Sequence, residues 1–151
     1  MDNKDIEILK LLQQDSTLSL VDISEQVNLS PTPCWKRIKR LEEDGIIRQR
    51  VALLDSASVD LKVSVFVHIK TRHHDNQWLE TFSAKVSAFD EVVEFYRMSG
   101  EWDYLLRVVV KDIETFDEFY KKLVNSVEGL TDVTSSFSME QIKYTTALPI
   151  R

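Results

Sequence analysis

The apolar residues of this chain change their period once, and that change limits the folds open to it. Up to about residue 45 they recur every three or four positions: Ile6, Leu9 and Leu12, then Leu20, Ile23 and Val27, then Cys34, Ile38 and Leu41. From Val63 they alternate, with Val63, Val65, Val67 and Ile69 interleaved with Ser64, Phe66, His68 and Lys70. Side chains share a face every 3.6 residues round a helix and every two along a strand. The expectation is an α+β chain, a helical unit followed by a sheet-containing one.

In the first unit a helix is expected over residues 4–14, broken by Asp15-Ser16-Thr17. Ser19-x-x-Asp22 has the shape of a capping box opening a short second helix. Asn28 can end that helix, since Asn tolerates the left-handed conformation. A third helix starts within SPTPCWKRIKRLEEDG, residues 30–45. Prolines suit a helix start, where amide groups have no intrahelical partner. Ser30-Pro31 and Thr32-Pro33 are both plausible cap pairs, and the spacing leaves both open. On a helical wheel Cys34, Ile38, Leu41 and Gly45 share one face, with Trp35 at its flank. Thr32, Lys36, Lys39 and Arg40 lie opposite, and Arg37 sits at the border. Gly45 stops the helix. Residues 46–51 then have strand character, with Arg48 and Arg50 on one face.

Three short helices, a tight second turn and a small basic strand match a winged helix-turn-helix. The formal net charge is −6, yet residues 31–50 hold six basic against three acidic residues. A basic strip on an acidic chain steers only at short range, because salt screens beyond about 8 Å. A charge run by itself is usually a solvated face; the three-helix context is what points to double-stranded DNA. A helix enters the major groove, its first residues reach base edges, and basic residues further along neutralise phosphates. The candidate DNA contacts are Ser30, Thr32, Trp35, Lys36, Arg37, Lys39, Arg40, Arg48 and Arg50. Trp35 is equally suited to packing on the first helix. Cys34, on the apolar face with no basic neighbour there, reads as a small hydrophobe rather than a sensor.

In the second unit Trp78, Phe82, Val86 and Phe89 step at helical spacing. Strands follow over residues 92–98 and 102–110, separated by the turn Ser99-Gly100-Glu101. Ile113, Phe116, Tyr120, Leu123 and Val127 make a second amphipathic helix, stopped at Gly129. A strand over residues 132–139 and a shorter one over residues 142–147 complete the chain. The order is ferredoxin-like, βαββαβ. Helices cover one sheet face, and the face carrying Phe66 needs a partner, which points to dimerisation. The expected boundaries are residues 1–50 for the DNA-binding domain, 51–62 for a connecting strand or linker and 63–151 for the second domain.

The opening MDNKDIEILK lacks an apolar signal-peptide core, the apolar runs are too short to span a bilayer, and Cys34 is the only cysteine. A cytoplasmic chain with no membrane partner is expected. His73-His74-Asp75 is the one metal-like cluster, but neighbouring residues at a strand end point apart, and it has no cysteine partner. No metal site, cofactor or catalytic constellation is expected.

The sequence resembles the Lrp/AsnC family of transcription regulators along essentially its whole length. In the first half the resemblance rests on Asp5-x-x-Ile8-Leu9-x-x-Leu12, Leu29-Ser30 and Arg37-Ile38-x-x-Leu41-Glu42-x-x-Gly45-Ile46-Ile47. In the second it rests on Ser99-Gly100-Glu101-Trp102-Asp103-Tyr104, which looks like the family's Gly-x-x-Asp turn. TPCWKRIKRLE, DEFYKKLVNSV and DVTSSFSMEQIKYTT look most like a cysteine-responsive branch. The resemblance implies homodimers assembling into octamers, and a small amino-acid effector, cysteine first among the candidates, bound between dimers. Carried over by position, that effector site involves Met98, Gly100, Asp103, Tyr104, Thr134, Ser135 and Ser136. The rival reading is an enzyme similar to Lrp/AsnC proteins that acts on a tetrapyrrole without binding DNA. The basic third helix argues against it.

Overall fold

The computed structural model describes residues 1–151. Its contacts divide into two units, Met1–Leu53 with Ile142–Arg151, and Leu54–Gln141.

The first unit is built on three helices: α1 (Asn3–Gln14), α2 (Leu20–Gln26) and α3 (Pro31–Glu43). Asp2 caps α1 in a reciprocal box with Asp5, each side chain accepting the other's amide at 3.0 Å. Ser19 caps α2 by accepting the Asp22 amide. Asn28 ends that helix at a φ of +54°. Of the two possible starts for α3, the chain takes Ser30 as N-cap with Pro31 as its first residue. Ile8, Ile23, Val27, Cys34 and Ile38 form the core, flanked by Leu11, Leu12, Leu18, Leu20, Leu29 and Ile47. Removing these side chains from water is the main stabilising term, at roughly 25 cal/mol per Å².

Two expectations are corrected here. Residues 46–51 form no strand, and neither do residues 142–147. Side-chain pattern gives a segment strand character, but a strand exists only where a neighbour supplies ladder hydrogen bonds. Neither segment pairs within this chain, and Val51 and Leu53 stay more than half exposed. The tail instead folds with the first unit rather than the second, where the Gln13 side chain both donates to the Leu148 carbonyl and accepts its amide. Residues 51–62, expected as a connecting strand or linker, form no strand and contain a single 3-10 turn, Ala57–Val59.

The second unit runs β1 (Val63–Thr71), α4 (Asn76–Ser87), β2 (Val92–Arg97), β3 (Tyr104–Val110), α5 (Ile113–Ser126) and β4 (Leu130–Phe137). The strands form one sheet in the order β2-β3-β1-β4, every pair antiparallel. Asp75 and Asp112 cap α4 and α5 by accepting the amides of Trp78 and Thr115. The inward residues of β1 and β3 are buried against Phe82, Val86, Phe116, Phe119 and Leu123. The other face carries Ser64, Phe66, His68 and Lys70 and is only partly covered. No helix is long and apolar enough to cross a membrane.

Candidate nucleic-acid interface and effector site

The start of α3 is fixed by Pro31, and the Ser30 side chain makes no capping hydrogen bond, so its hydroxyl is not committed to the helix. Cys34, Ile38 and Leu41 bury the inner face. Thr32, Trp35, Lys36, Lys39 and Arg40 are exposed on the outer one, and Arg37 is intermediate. Trp35 is 48% exposed and lies outside the hydrophobic cluster of the three helices. The Lys39 ammonium lies 6.0 Å from the centre of its ring.

The basic residues are not equivalent. Arg37 Nη1 donates to both oxygens of Asp2, at 2.7 and 2.8 Å, and to Asp5 at 2.9 Å. Arg40 Nη2 donates to Asp5 at 2.6 Å. Glu42 takes Lys39 at 3.1 Å and Arg50 at 3.0 Å. Among the six basic side chains of α3 and the segment after it, only Lys36 and Arg48 have no carboxylate partner. Four cations within five helical residues repel one another, and Asp2, Asp5 and Glu42 offset that repulsion from inside the same unit.

Hydrogen bonds from Arg37 and from the Asp5 amide hold the Asp2 carboxyl down at about 2, from an ordinary 3.8. For Asp5, burial pushes the carboxyl up, but the Asp2 amide and the Arg37 guanidinium outweigh it and the net direction is down. Glu42 is lowered first by the hydrogen bond from Lys39. Burial raises the Cys34 thiol. The hydrophobic spacing of α1 gave no sign that Asp5 is 1% exposed; the Asp2-x-x-Asp5 spacing of a capping box was the available signal.

In the second unit residues 98–103 make a tight turn. The Met98 amide donates to the Asp103 carbonyl at 2.8 Å, and the Asp103 amide to the Ile69 carbonyl at 2.9 Å. Asp103 Oδ2 accepts the Thr71 amide at 2.9 Å. Gly100 has a φ of +111° and nothing within 4 Å of where a Cβ would be. Such a φ favours glycine, and the open space lets another molecule approach the backbone.

The structure brings together Met98, Gly100 and Asp103 but not the other expected residues. Tyr104 is 3% exposed and turns to the helix-covered face, its ring 4.8 Å from Phe82 and 5.9 Å from Phe95. Ser135 pairs in register with buried Val67 and shares that covered face, whereas Thr134 and Ser136 pair with His68 and Phe66 on the open one. The two-residue period of a strand separates Ser135 from its neighbours. Thr134 and Ser136 also sit about 7 and 13 Å along the strands from Asp103, on the far side of β1. Trp102 and Lys70, which are not among the expected residues, stand near the turn on the open face. The Lys70 ammonium is 4.8 Å from the Trp102 ring and 3.7 Å from Glu101, and His68 lies 5.5 Å from Trp102. The alternation that exposes Phe66 also marks His68 and Lys70. In the loop after β1, Asp75 is committed as a helix cap and His73 stacks on Trp78, 5.9 Å between centroids.

Comparison with known proteins finds two matching domain families. Residues 64–148 match the Lrp/AsnC ligand binding domain, and residues 1–48 match a winged helix-turn-helix DNA-binding domain. The chain is 59% identical, over 99% of both chains, to the DNA-binding transcriptional activator DecR of Escherichia coli K12. The crystal structure of an AsnC family transcriptional regulator from Agrobacterium tumefaciens superposes with a TM-score of 0.96 at 59% identity, covering 99% of this chain and 97% of that one. A transcriptional regulator from Neisseria meningitidis, solved as an L-Met complex, superposes with a TM-score of 0.93 at 40% identity, covering 99% and 96%.

Proposed function

This chain is a DNA-binding transcriptional regulator of the Lrp/AsnC family, and on that premise we propose that α3 reads an operator while the turn at residues 98–103 serves an amino-acid effector. The observation that carries the DNA half is the outer face of α3. There Thr32, Trp35 and Lys36 stand exposed at the helix start, and Lys36 has no internal carboxylate to compete with DNA. Ser30, Thr32 and Lys36 reach base edges. Lys39, Arg40, Arg48 and Arg50 contact phosphates, with Arg37 acting as the internal tie. Trp35 stacks on the sugar-phosphate backbone.

The effector reading is supported by Asp103 and Gly100 at one turn and by the L-Met complex of the Neisseria relative. Asp103 pairs with an α-ammonium group, and turn amides take the α-carboxylate. Thr134 and Ser136 are too far along the sheet to complete that pocket in one chain, so a second copy supplies the rest. L-cysteine is the leading candidate, and L-methionine, a thioether where cysteine is a thiol, is the second. A homodimer through the open sheet face, assembling to an octamer, gives the avidity to wrap DNA. The working compartment is the cytoplasm.

The test begins with an operator duplex selected from random-sequence DNA by the purified protein. That duplex and a scrambled one are titrated at two salt concentrations, with and without L-cysteine or L-methionine. Selective binding that weakens steeply with salt is expected, with Arg48→Ala lowering the salt slope by about 1 and Lys36→Ala relaxing the preference for the operator over the scrambled duplex. No selective binding, or a slope near zero, overturns the DNA reading. Indifference to both amino acids removes them as effectors.

A further inference from the structure

The carboxylate of Asp5 is 1% exposed, yet it holds two guanidinium groups from a helix more than thirty residues away. A buried carboxylate is costly unless its oxygens are fully occupied. Here Oδ1 takes Arg37 at 2.9 Å, and Oδ2 takes both Arg40 at 2.6 Å and the Asp2 amide at 3.0 Å. Asp2 also ties the start of α1 to Arg37, but only Asp5 reaches Arg40. The two arginines differ in what remains to them. Arg37 is the more enclosed, its side chain 28% exposed and one nitrogen spread over three carboxylate oxygens. Arg40 is 51% exposed and uses a single terminal nitrogen, leaving Nη1 and Nε without a partner in the chain.

Arg40 also lies one helical turn beyond Lys36 on the outer face, in the last turn of α3. Residues four apart on a helix are neighbours. In a recognition helix the first residues meet bases and later ones meet the backbone. A free arginine loses much of its side-chain freedom on binding a phosphate. One already tethered by a buried acid has given up that freedom beforehand, and its planar fork is aimed before DNA arrives.

We propose that Asp5 is a positioning residue for operator recognition, holding Arg40 so that its free edge receives a DNA phosphate in the register that lets Lys36 reach its base. The inference rests on the reading of α3 as the DNA-reading helix. It assigns a role in recognition to a residue that never touches DNA, and it makes a prediction that simple charge counting reverses. Removing an acidic charge beside DNA should strengthen binding to any sequence. If Asp5 positions Arg40, removing it weakens operator binding and spares or strengthens non-specific binding.

The experiment uses the full-length protein, the selected operator duplex and a scrambled duplex of equal length and composition, with Asp5→Asn, Arg40→Gln and the double variant. Helix content and urea midpoint are checked first. If Asp5→Asn does not stay folded, Asp5→Glu, which keeps the charge but displaces it by one methylene, takes its place in the same cycle. The expected result is about a tenfold loss of operator affinity, the scale of one charged contact, with scrambled-duplex affinity unchanged or higher. In the Arg40→Gln background the same substitution should have little further effect on operator affinity, because coupled residues are non-additive. Operator and scrambled affinities moving by the same factor would overturn the proposal, as would an undiminished effect in the Arg40→Gln background. Failure of the underlying reading looks different: the wild type itself then selects no sequence, and Lys36→Ala binds as the wild type does.

Discussion

Asp103 and Thr71 are joined by a hydrogen bond of 2.9 Å from the Thr71 amide to the Asp103 carboxylate, which ties the turn between β2 and β3 to the end of β1. Thr71 in turn donates through its hydroxyl to the Gly129 carbonyl, so three segments meet at this end of the sheet. Asp103 therefore holds the turn in shape whether or not an effector is present. The two roles separate by substitution. Asp103→Asn keeps an acceptor for the Thr71 amide and loses the charge; Asp103→Ala loses both. We expect Asp103→Ala to destabilise the second unit by about 1 kcal/mol and Asp103→Asn by less. Both should abolish calorimetric binding of the effector amino acid, because its ammonium group loses its counter-charge. Full binding by Asp103→Asn would leave the carboxylate a structural role only.

Two glycines with positive φ predict unequal sensitivities. Gly129, at φ +82°, has the His73 ring where a side chain would go, with Cδ2 only 2.1 Å from an ideal Cβ. Gly129→Ala should therefore combine backbone strain with a steric clash and cost about 2 kcal/mol or more, while Gly100→Ala, with open space around it, costs about 1 kcal/mol of strain alone. Urea unfolding of the two variants measures the difference. Equal costs would mean that His73 swings aside freely.

The first unit should lose stability in acid through Asp2. Its carboxyl sits at about 2 in the folded chain against an ordinary 3.8. A carboxyl lowered on folding contributes stability that is fully present above its unfolded value and is lost as pH falls through its folded one. The gap in urea midpoint between wild type and Asp2→Asn should be constant from neutral pH down to about 4, and close between there and about 2. A gap that does not change over that window would show that the Arg37 pairing contributes nothing.

Cys34 should be inert in the folded protein. It is fully buried and burial raises its thiol, whereas reactive cysteines are exposed and lowered. Labelling by a thiol reagent should proceed only as fast as the first unit opens. Cys34→Ala should cost about 1 kcal/mol and leave both operator binding and effector response in place. Rapid labelling of the native protein, or an effector response lost with Cys34, would reopen a sensor role.

Much of the architecture was written in local pattern. The 3.6-residue spacing of Ile23 and Val27, the alternation of Val65, Val67 and Ile69, and the caps at Ser19 and Asn28 each follow from a few adjacent residues, because backbone geometry repeats over that distance. The same reasoning put Lys36 and Arg40 on the outer face of α3. It could also have separated Ser135 from Thr134 and Ser136, since a strand turns successive side chains to opposite faces. It missed that because the three were carried over together from a family resemblance.

What the chain alone determined, then, was where the helices and the four paired strands lie and which way their side chains point. Tertiary structure decided which groups meet. Only the closing of α1 on α3 brings Asp5 to Arg37 and Arg40 and buries a carboxylate within an apolar helix pattern. Only the absence of a neighbouring ladder leaves residues 46–51 and 142–147 without strand structure. Only the sheet's register sets Thr134 and Ser136 apart from Asp103. Period and capping are local properties of the backbone, whereas charge pairing and strand pairing depend on partners distant in sequence, which the fold alone selects.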